Sequence, residues 1–220
     1  MGKYFIETFG CQMNKYDSEL VTSILEKQGY VRAENIEESD LILINTCSVR
    51  DHAEARVKNK LDSYQAIKKH RNNVVVGVLG CMAQRLGLGL IDEKPIVNFV
   101  VGPDGYRHIP EILKNIQNNG EFKNLPVINE QETYSDIYPT RVKGISAWVA
   151  VMRGCNNFCS YCIVPFVRGR ERSRSVKNVI SEVEKLVTEG YSEVTLLGQN
   201  VNSYHDGNND FADLLKYVSQ

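Results

Sequence analysis

The first half of the chain alternates between apolar runs and segments with helical spacing. Continuous apolar runs bounded by polar residues are typical of strands that are buried on both faces of a parallel sheet. Four segments have this character: Lys3 to Phe9, Asp40 to Asn45, Val74 to Leu79 and Ile96 to Val101. One helix is predicted between the first and second of these strands, one between the second and third, and one after the fourth.

The segments between these runs repeat apolar residues every three or four positions, as helices packed on a sheet do. Asp17 or Ser18 is expected to cap the first helix, which ends at Gly29. Two later helices carry their apolar faces at Ala53, Val57, Leu61, Tyr64 and Ile67, and at Ile109, Ile112, Leu113 and Ile116. Alternation of strand and helix predicts an α/β domain with a doubly wound parallel sheet over residues 1–118.

Residues 119–144 lose this periodicity and are predicted to form a linker. A second unit, 145–220, begins with an alternating strand at 145–151. Ser175 is expected to cap a helix that precedes another strand at 193–197. Two strands and two helices do not close a core by themselves, so this unit is predicted to be the front part of a larger, truncated domain.

Composition narrows the class of protein. The 220 residues are 42% hydrophobic and carry a formal net charge of −1, so a polyanionic partner would require a local basic patch. No apolar run approaches the roughly 20 residues that span a bilayer. The N-terminus also lacks the anatomy of a signal peptide. We therefore expect a cytoplasmic protein without a membrane partner.

The six cysteines are the candidate metal ligands of the chain, and they fall into two groups of three. Disulfides are not expected in a reducing compartment, and groups of three favour metal binding over pairing. One group is spread along the chain and the other is bunched: Cys11, Cys47 and Cys81, then Cys155, Cys159 and Cys162.

The bunched cysteines have the spacing C-x-x-x-C-x-x-C and follow a predicted strand. Thiolates suit iron–sulfur clusters or zinc, but a structural zinc site takes four protein ligands and no fourth ligand has matching spacing. Three thiolates leave one iron of a cubane open to an exchangeable ligand. The alternative is three small apolar residues on one helix face, which Gly154, Asn156 and Asn157 disfavour as poor helix formers.

The spread cysteines each follow a predicted parallel strand. The carboxyl ends of such strands share one edge of the sheet, where ligands bind. The pattern favours a second three-thiolate cluster over simple core packing, although buried free cysteine is common.

The motif C-x-x-x-C-x-aromatic-C after a strand resembles the radical S-adenosylmethionine (SAM) superfamily. The resemblance implies that the bunched cysteines hold a 4Fe-4S cluster whose open iron binds SAM. Reductive cleavage of SAM then yields methionine and a 5′-deoxyadenosyl radical. It also implies a place near SAM for Tyr161, whose alternative role is packing, and for Gly198, Gln199 and Asn200.

The motifs F-G-C-Q-M-N-K-Y-D-S-E, I-N-T-C-S-V-R and G-C-M-A-Q resemble the N-terminal domain of radical SAM methylthiotransferases. The resemblance implies a second 4Fe-4S cluster on the spread cysteines and a partial TIM-type (β/α) barrel after the linker. Together with C-I-V-P-F-V-R-G-R-E-R-S-R and L-L-G-Q-N-V-N-S-Y, these motifs look most like the branch that makes 2-methylthio-N(6)-dimethylallyladenosine in tRNA. Sister branches modify threonylcarbamoyl-adenosine in tRNA or a ribosomal-protein aspartate.

The resemblance implies sulfur insertion at C2 of N(6)-dimethylallyladenosine next to the anticodon, followed by S-methylation, with two SAM molecules consumed. The implied partners are the tRNA anticodon loop and reduced flavodoxin or ferredoxin as electron donor. The sulfur donor is not identified, and a monomer is expected. The rest of the barrel and a C-terminal tRNA-binding domain are missing from these 220 residues, so the fragment alone is expected to be inactive.

A basic segment follows the bunched cysteines at Arg168, Arg170, Arg172 and Arg174. It is interpreted either as a solvated loop or as a contact for tRNA phosphate or the SAM carboxylate. Asn14, Asn45 and Gln199 are expected to line a cavity between the clusters. A two-cluster electron-transfer protein and a non-catalytic tRNA-binding module are the rival functions. Ferredoxins ligate all four irons, and the chain has no extended basic stripe.

Overall fold

A computed structural model describes residues 2–48, 51–119 and 128–220 of the chain. The strands of the first part are β1 (Lys3–Thr8), β2 (Val31–Arg32), β3 (Leu41–Thr46), β4 (Val75–Gly80) and β5 (Phe99–Val101). Its helices are α1 (Gln12–Lys27), α2 (Asp51–His70), α3 (Cys81–Leu86), α4 (Gly89–Glu93) and α5 (Ile109–Asn119). The strands form one parallel sheet in the order β2-β1-β3-β4-β5.

The sheet is covered by helices on both faces, which confirms the doubly wound architecture. Leu41 and Leu43 of β3 belong to a core cluster with residues of α1 and α5. Ile42 and Ile44, which alternate with them, belong to the opposite cluster with residues of α2, α3 and α4. Burial of both faces explains why β3 is a continuous apolar run, all of it buried.

The predicted start of α1 is wrong. The helix begins at Gln12 with Cys11 as its N-cap, so Asp17 and Ser18 are buried within the helix and cap nothing. The chain turns at Gly10, two residues after β1 ends, and the N-cap Cys11 therefore lies six residues before Asp17 and seven before Ser18. The short elements β2, α3 and α4 were not predicted. The side chain of Ala53, expected on the apolar face of α2, lies outside the described residues.

The second part contains strands β6 (Ser146–Ala150), β7 (Met152–Arg153), β8 (Arg172–Ser173), β9 (Glu193–Leu197), β10 (His205–Asp206) and β11 (Asn209–Asp210). Its helices are α6 (Val164–Arg168), α7 (Val176–Thr188) and α8 (Phe211–Val218). β6 and β9 pair in parallel with α7 between them in the chain, the repeating unit of a β/α barrel. The Ser175 cap is confirmed, since its side chain accepts a hydrogen bond from the Asn178 N–H at 3.3 Å.

Part of the predicted linker packs against the first sheet domain. Residues 120–127 lie outside the described residues. Tyr134 and Ile137 are buried in the core cluster that contains α1 and α5. The Tyr134 hydroxyl accepts a hydrogen bond from the Tyr106 N–H and donates one to the Pro103 carbonyl, both at 3.0 Å. Because this segment is mostly polar, its sequence did not predict that Tyr134 and Ile137 would be buried.

The two parts share one interface. Ala150 of β6 is buried in the same cluster as the α1 and α5 side chains, and Trp148 and Leu197 pack against that cluster. The carboxyl edges of the two sheets, where the cysteines lie, are therefore joined by continuous packing. In the part of the chain that the structure describes, no helix is both long enough and apolar enough to cross a membrane.

Candidate metal centre

The spread cysteines lie at one edge of the first sheet. Cys11, Cys47 and Cys81 directly follow the strand–turn segments of β1, β3 and β4, which are neighbours in the sheet and run in parallel. Strand order reverses its direction between β1 and β3, and the crevice at such a point is where open α/β sheets bind ligands. Cys47 and Cys81 are buried, whereas Cys11 is exposed at the rim.

The turns that carry these cysteines touch one another. A Cβ added to Gly10 would lie 2.8 Å from the Cys47 Cβ, and a Cβ added to Gly80 would lie 2.5 Å from the Thr46 carbonyl oxygen. Both glycines also adopt positive φ, 143° and 89°, which other residues rarely adopt. The backbone therefore brings the three cysteine turns together at positions that only glycine fits.

A chain of side-chain contacts joins Cys11 to Cys81. The Asn14 Oδ1 accepts hydrogen bonds from the Cys11 thiol at 3.5 Å and from Arg168 Nη2 at 3.0 Å. Arg168 Nε lies 3.2 Å from the Cys81 Sγ. Burial raises the pKa of the Cys81 thiol, the Arg168 charge opposes this, and nearby Cys47 reinforces it. The expected convergence of the spread cysteines is therefore present in the fold, with Arg168 of the second part among them.

The bunched cysteines occupy the loop between β7 and α6. Cys155 is buried and its N–H donates to the Gly169 carbonyl at 3.2 Å, while the Cys162 N–H donates to the Cys159 carbonyl at 2.9 Å. The loop is thus fastened at its start to the segment that follows α6. Phe158 within it has a φ of 45°, an uncommon conformation for a bulky residue.

The loop is also locked at Gly154. Its φ is 75°, and an added Cβ would lie 2.0 Å from the Arg170 carbonyl oxygen. The backbone at Gly154 and the backbone at Arg170 therefore pass close to each other, which fixes the position of the start of the loop. A side chain at this position would collide with backbone, which cannot move aside cheaply.

The residues predicted to lie near SAM are at the same edge. Gly198 follows β9, and an added Cβ would lie 2.6 Å from Met152 Cγ, so this turn packs against the strand that leads to Cys155. The Gln199 Oε1 is buried and accepts no hydrogen bond from the described part of the chain. Asn200 begins the short 3-10 helix Val201–Ser203. Tyr161 is 90% exposed, so its ring is available to a ligand.

Both candidate donor sets consist of cysteine sulfurs, which are soft ligands that suit iron–sulfur clusters. Within residues 2–48, 51–119 and 128–220, no three His, Cys, Asp or Glu side chains are grouped to hold one metal ion. A cubane takes each thiolate on a different iron, so its ligands stand apart around a larger body. Three cysteine turns at an open sheet edge, with a buried cationic donor beside Cys81, match an anionic, sulfur-rich group.

Three of the four arginines expected to contact phosphate are buried in the interface, which corrects that interpretation. Arg168 pairs with Asp17 at 2.8 Å, Arg172 with Asp104, and Arg174 with Glu182 at 2.6 Å. Arg168 and Arg172 pair with carboxylates of the first part. The Arg174–Glu182 pair lies within the second part, and Arg174 reaches the first part through a hydrogen bond to the Tyr16 hydroxyl at 3.3 Å. Arg170 alone of the four is exposed, and its guanidinium lies 4.8 Å from the centre of the Phe158 ring.

Asn45, expected in a cavity between clusters, is buried, and its Oδ1 has no hydrogen-bond partner within the described residues. Its Nδ2 donates to the Asn14 carbonyl at 2.8 Å and to the Ser18 hydroxyl at 2.9 Å. It therefore ties β3 to the start of α1. Asn14 remains beside Cys11 and Arg168, as described above.

Sequence reasoning missed the buried ion pairs of Asp17, Asp104 and Arg153. Arg153 donates to Asp17 at 2.9 Å and to the Pro103 carbonyl at 3.2 Å. A signal was present in α1, where Asp17 lies four residues after Met13 and three before Leu20, on the buried face. A carboxylate on an apolar stripe implies a buried cationic partner.

Two surface cavities lie away from this centre, at the amino edge of the first sheet. One of about 460 Å³ is lined by Asp40, Arg71 and Val74, and one of about 400 Å³ by Lys68 and Ile96 among others. The residues that precede strands line them, so they have no part in the cysteine sites.

Comparison with known proteins agrees with this arrangement. Residues 149–218 match the family model described as the radical SAM superfamily, and residues 3–102 match the one described as uncharacterized protein family UPF0004. The fold and the Cys155 loop therefore define a radical SAM protein with an added N-terminal α/β domain. Such a protein uses an iron–sulfur cluster and SAM.

Curated relatives refine the class. Proteins named tRNA-2-methylthio-N(6)-dimethylallyladenosine synthase are 50% identical in Bacteroides fragilis, 48% in Christiangramia forsetii and 47% in Chloroherpeton thalassium. The matches cover 92%, 92% and 99% of this chain and 44%, 42% and 48% of those proteins. The chain therefore belongs to the radical SAM methylthiotransferase family and spans less than half the length of these relatives.

Solved structures support the fold. A radical SAM methyltransferase, TsrM from Kitasatospora setae, superposes with a TM-score of 0.65 over 92% of this chain and 48% of that chain. The two sequences are only 12% identical, so the likeness concerns architecture. A second structure of the same protein, with cobalamin and a [4Fe-4S] cluster bound, gives a TM-score of 0.63.

Proposed function

We propose that the whole protein is a tRNA methylthiotransferase that acts on N(6)-dimethylallyladenosine beside the anticodon. It would replace the C2 hydrogen with sulfur and methylate that sulfur. The observation that carries the proposal is the pairing of two cysteine triads at the joined carboxyl edges of two sheets, with Arg168 of one part touching Cys81 of the other.

The cofactors are two 4Fe-4S clusters and SAM, one cluster on Cys155, Cys159 and Cys162 and the other on the spread triad. When bound, they supply the radical that removes the C2 hydrogen, the sulfur and the methyl group. The protein supplies ligands, orientation and a protected interface. Ala150, Trp148 and Leu197 of the second part pack against the first part, and this packing would hold the two ligand sets at a fixed separation.

Residues of the second part would orient SAM. The Gln199 Oε1, which has no hydrogen-bond partner among the described residues, suits an ammonium or hydroxyl donor of the cofactor. It lies in the turn that follows β9, where Gly198 packs against Met152. Tyr161, which is largely exposed, is free to pack against the cofactor. Arg170, exposed beside Phe158, is the member of the basic segment that can contact substrate phosphate.

The proposed partners are the anticodon loop of tRNA and reduced flavodoxin or ferredoxin as electron donor. We place the protein in the cytoplasm, acting as a monomer. The domain limits proposed are 1–118 for the α/β domain and 145–220 for the start of the radical SAM domain. Of the segment between them, Tyr134 and Ile137 pack on the former and Tyr138 packs on the latter.

The reaction class is tested with the whole protein after anaerobic reconstitution and reduction. We expect 5′-deoxyadenosine from SAM, and none from a Cys155/Cys159/Cys162 triple-alanine variant. A two-cluster electron-transfer protein or a tRNA-binding module would make no 5′-deoxyadenosine with either version.

The role of the first triad is tested separately. A Cys11→Ala, Cys47→Ala, Cys81→Ala variant is expected to cleave SAM but to form no methylthio product on prenylated tRNA. Normal methylthiolation by this variant would refute a sulfur-carrying role for the second cluster.

The substrate branch is tested by mass spectrometry of tRNA nucleosides from a strain that lacks the gene. Loss of 2-methylthio-dimethylallyladenosine is expected. If that nucleoside is normal while a threonylcarbamoyl derivative or a ribosomal-protein aspartate loses its methylthio group, the protein belongs to a sister branch.

A further inference from the structure

We propose that Arg168 is a positioning residue for the second cluster and that its hydrogen bond to Cys81 raises the reduction potential of that cluster. The proposal rests on the proposed second cluster and goes beyond it by assigning a role to a residue of the other domain. Arg168 lies six positions after Cys162, at the end of α6, so it links the loop of one cysteine triad to a ligand of the other.

The guanidinium is held in one orientation. Its Nε lies 3.2 Å from Cys81 Sγ, and its Nη2 donates to Asn14 at 3.0 Å and Asp17 at 2.8 Å. The side chain is 4% exposed. A planar group fixed by three partners in a buried site has little freedom to turn away from the sulfur.

One donor of this group is left over. Arg168 Nη1 is buried and has no hydrogen-bond partner within the residues that the structure describes. A buried guanidinium N–H without an acceptor is costly, and the cost is removed if an acceptor is bound in place. The inorganic sulfur of a cluster ligated by Cys81 is an acceptor of the right charge.

The balance of buried charges in the interface also favours an anionic group beside Arg168. Three buried guanidiniums, those of Arg153, Arg168 and Arg172, share the two carboxylates of Asp17 and Asp104. One positive charge in this group therefore lacks a carboxylate. A thiolate-ligated cluster beside Arg168 is anionic and balances that excess inside the protein.

Reduction adds an electron to a group that is already negative. A cationic donor within hydrogen-bond distance stabilises the reduced form more than the oxidised form, and the low dielectric of a buried site strengthens the difference. Removal of the Arg168 charge should therefore make the second cluster harder to reduce. The first cluster, whose ligands Arg168 does not contact in this structure, should be affected less.

The test is a redox titration followed by electron paramagnetic resonance. The whole protein is used in a Cys155/Cys159/Cys162 triple-alanine background, so that only the second cluster contributes to the signal. We expect Arg168→Gln to shift the midpoint potential to a more negative value. Arg168→Lys, which keeps the charge but not the planar fork, should shift it less in the same direction.

Two arginines of the same segment provide matched controls. Arg172→Gln also breaks a buried ion pair between the two parts, with Asp104, but Arg172 makes no contact with a cysteine in the described contacts. Arg170→Gln removes an exposed positive charge two residues from Arg168. Arg170→Gln is expected to leave the potential of the second cluster unchanged. Arg172→Gln, which removes a buried charge that contacts no cysteine, should shift it much less than Arg168→Gln, even where Arg172→Gln lowers stability.

The possible outcomes distinguish the role of Arg168 from the existence of the second cluster. A background protein that binds no iron would refute the second cluster and the role of Arg168 together. A bound cluster with the same potential in Arg168→Gln and Arg172→Gln would overturn only the role of Arg168. If Arg168→Gln does not fold, Arg168→Lys decides, since an unchanged potential there contradicts the proposal.

Discussion

Asp17 and Arg153 are 136 positions apart in the chain and form a buried ion pair, with 2.9 Å between Asp17 Oδ1 and Arg153 Nη1. The other carboxylate oxygen accepts a hydrogen bond from Arg168 at 2.8 Å. Asp17 belongs to α1, which follows Cys11, and Arg153 ends the strand that precedes Cys155. One carboxylate thus joins the segments that carry the first cysteine of each triad.

Asp17→Asn should be strongly destabilising. The substitution leaves two buried guanidiniums without their shared carboxylate, and loss of one partner of a buried pair typically costs about 3–5 kcal/mol. Urea denaturation of the protein measures the loss. Asp62→Asn is the control, because Asp62 pairs with Lys94 at the surface and such pairs contribute about 0–1 kcal/mol. Similar losses in both variants would contradict the importance of the buried pair.

Gly154→Ala should disrupt the loop of the bunched cysteines. The added Cβ would lie 2.0 Å from the Arg170 carbonyl oxygen, so backbone must move and a loss above about 3 kcal/mol is expected. Gly190→Ala is matched to it, since Gly190 also has positive φ but nothing lies within 4 Å of its added Cβ. That control should cost only about 1 kcal/mol. Thermal unfolding compares the two, and equal melting temperatures would argue against the collision.

Glu19 should make stability depend on pH. Burial raises its pKa to about 7, opposed by Arg141, whose Nε lies 3.5 Å away, and reinforced by Glu182. A carboxyl that is protonated more readily in the folded state loses stability as pH rises from its unfolded pKa of 4.5 to about 7. Glu19→Gln should therefore gain roughly 1–3 kcal/mol relative to the parent between pH 4 and pH 8.

Denaturation at these two pH values tests the Glu19 prediction. Glu184→Gln, on the exposed side of α7, serves as the control. A pH-independent effect of Glu19→Gln would show that the pKa of the Glu19 carboxyl is the same in the folded and the unfolded protein.

Substitution by alanine should affect SAM binding at Tyr161 and stability at Tyr134. Tyr161 is 90% exposed, so Tyr161→Ala should alter stability by no more than about 0.5 kcal/mol while weakening SAM binding in the whole protein. Tyr134 is fully buried, and Tyr134→Ala should cost about 3 kcal/mol or more. Equilibrium unfolding and calorimetric titration with SAM separate the two effects. Unchanged SAM affinity in Tyr161→Ala would remove Tyr161 from the proposed cofactor site.

The elements that could be predicted from the sequence are those with a strong local pattern. Apolar runs such as 40–45 identify central strands because both faces of a parallel sheet are buried. The cysteine spacings identify two ligand sets because a strand end and a short loop each place thiols by local geometry. Segments without such a pattern, such as α3 at Cys81 and the packed residues near Tyr134, were missed.

By itself, the sequence determined the central strands, the spacing of the six cysteines and the family, since each strand and each cysteine motif is a short run of residues. Only the tertiary structure decided that Arg168, Arg172 and Arg174 lie inside an interface and that Asp17 joins Arg153 to Arg168. The partner of a charged side chain can come from any distance along the chain. Burial of that charge depends on how whole domains pack, which no local pattern records.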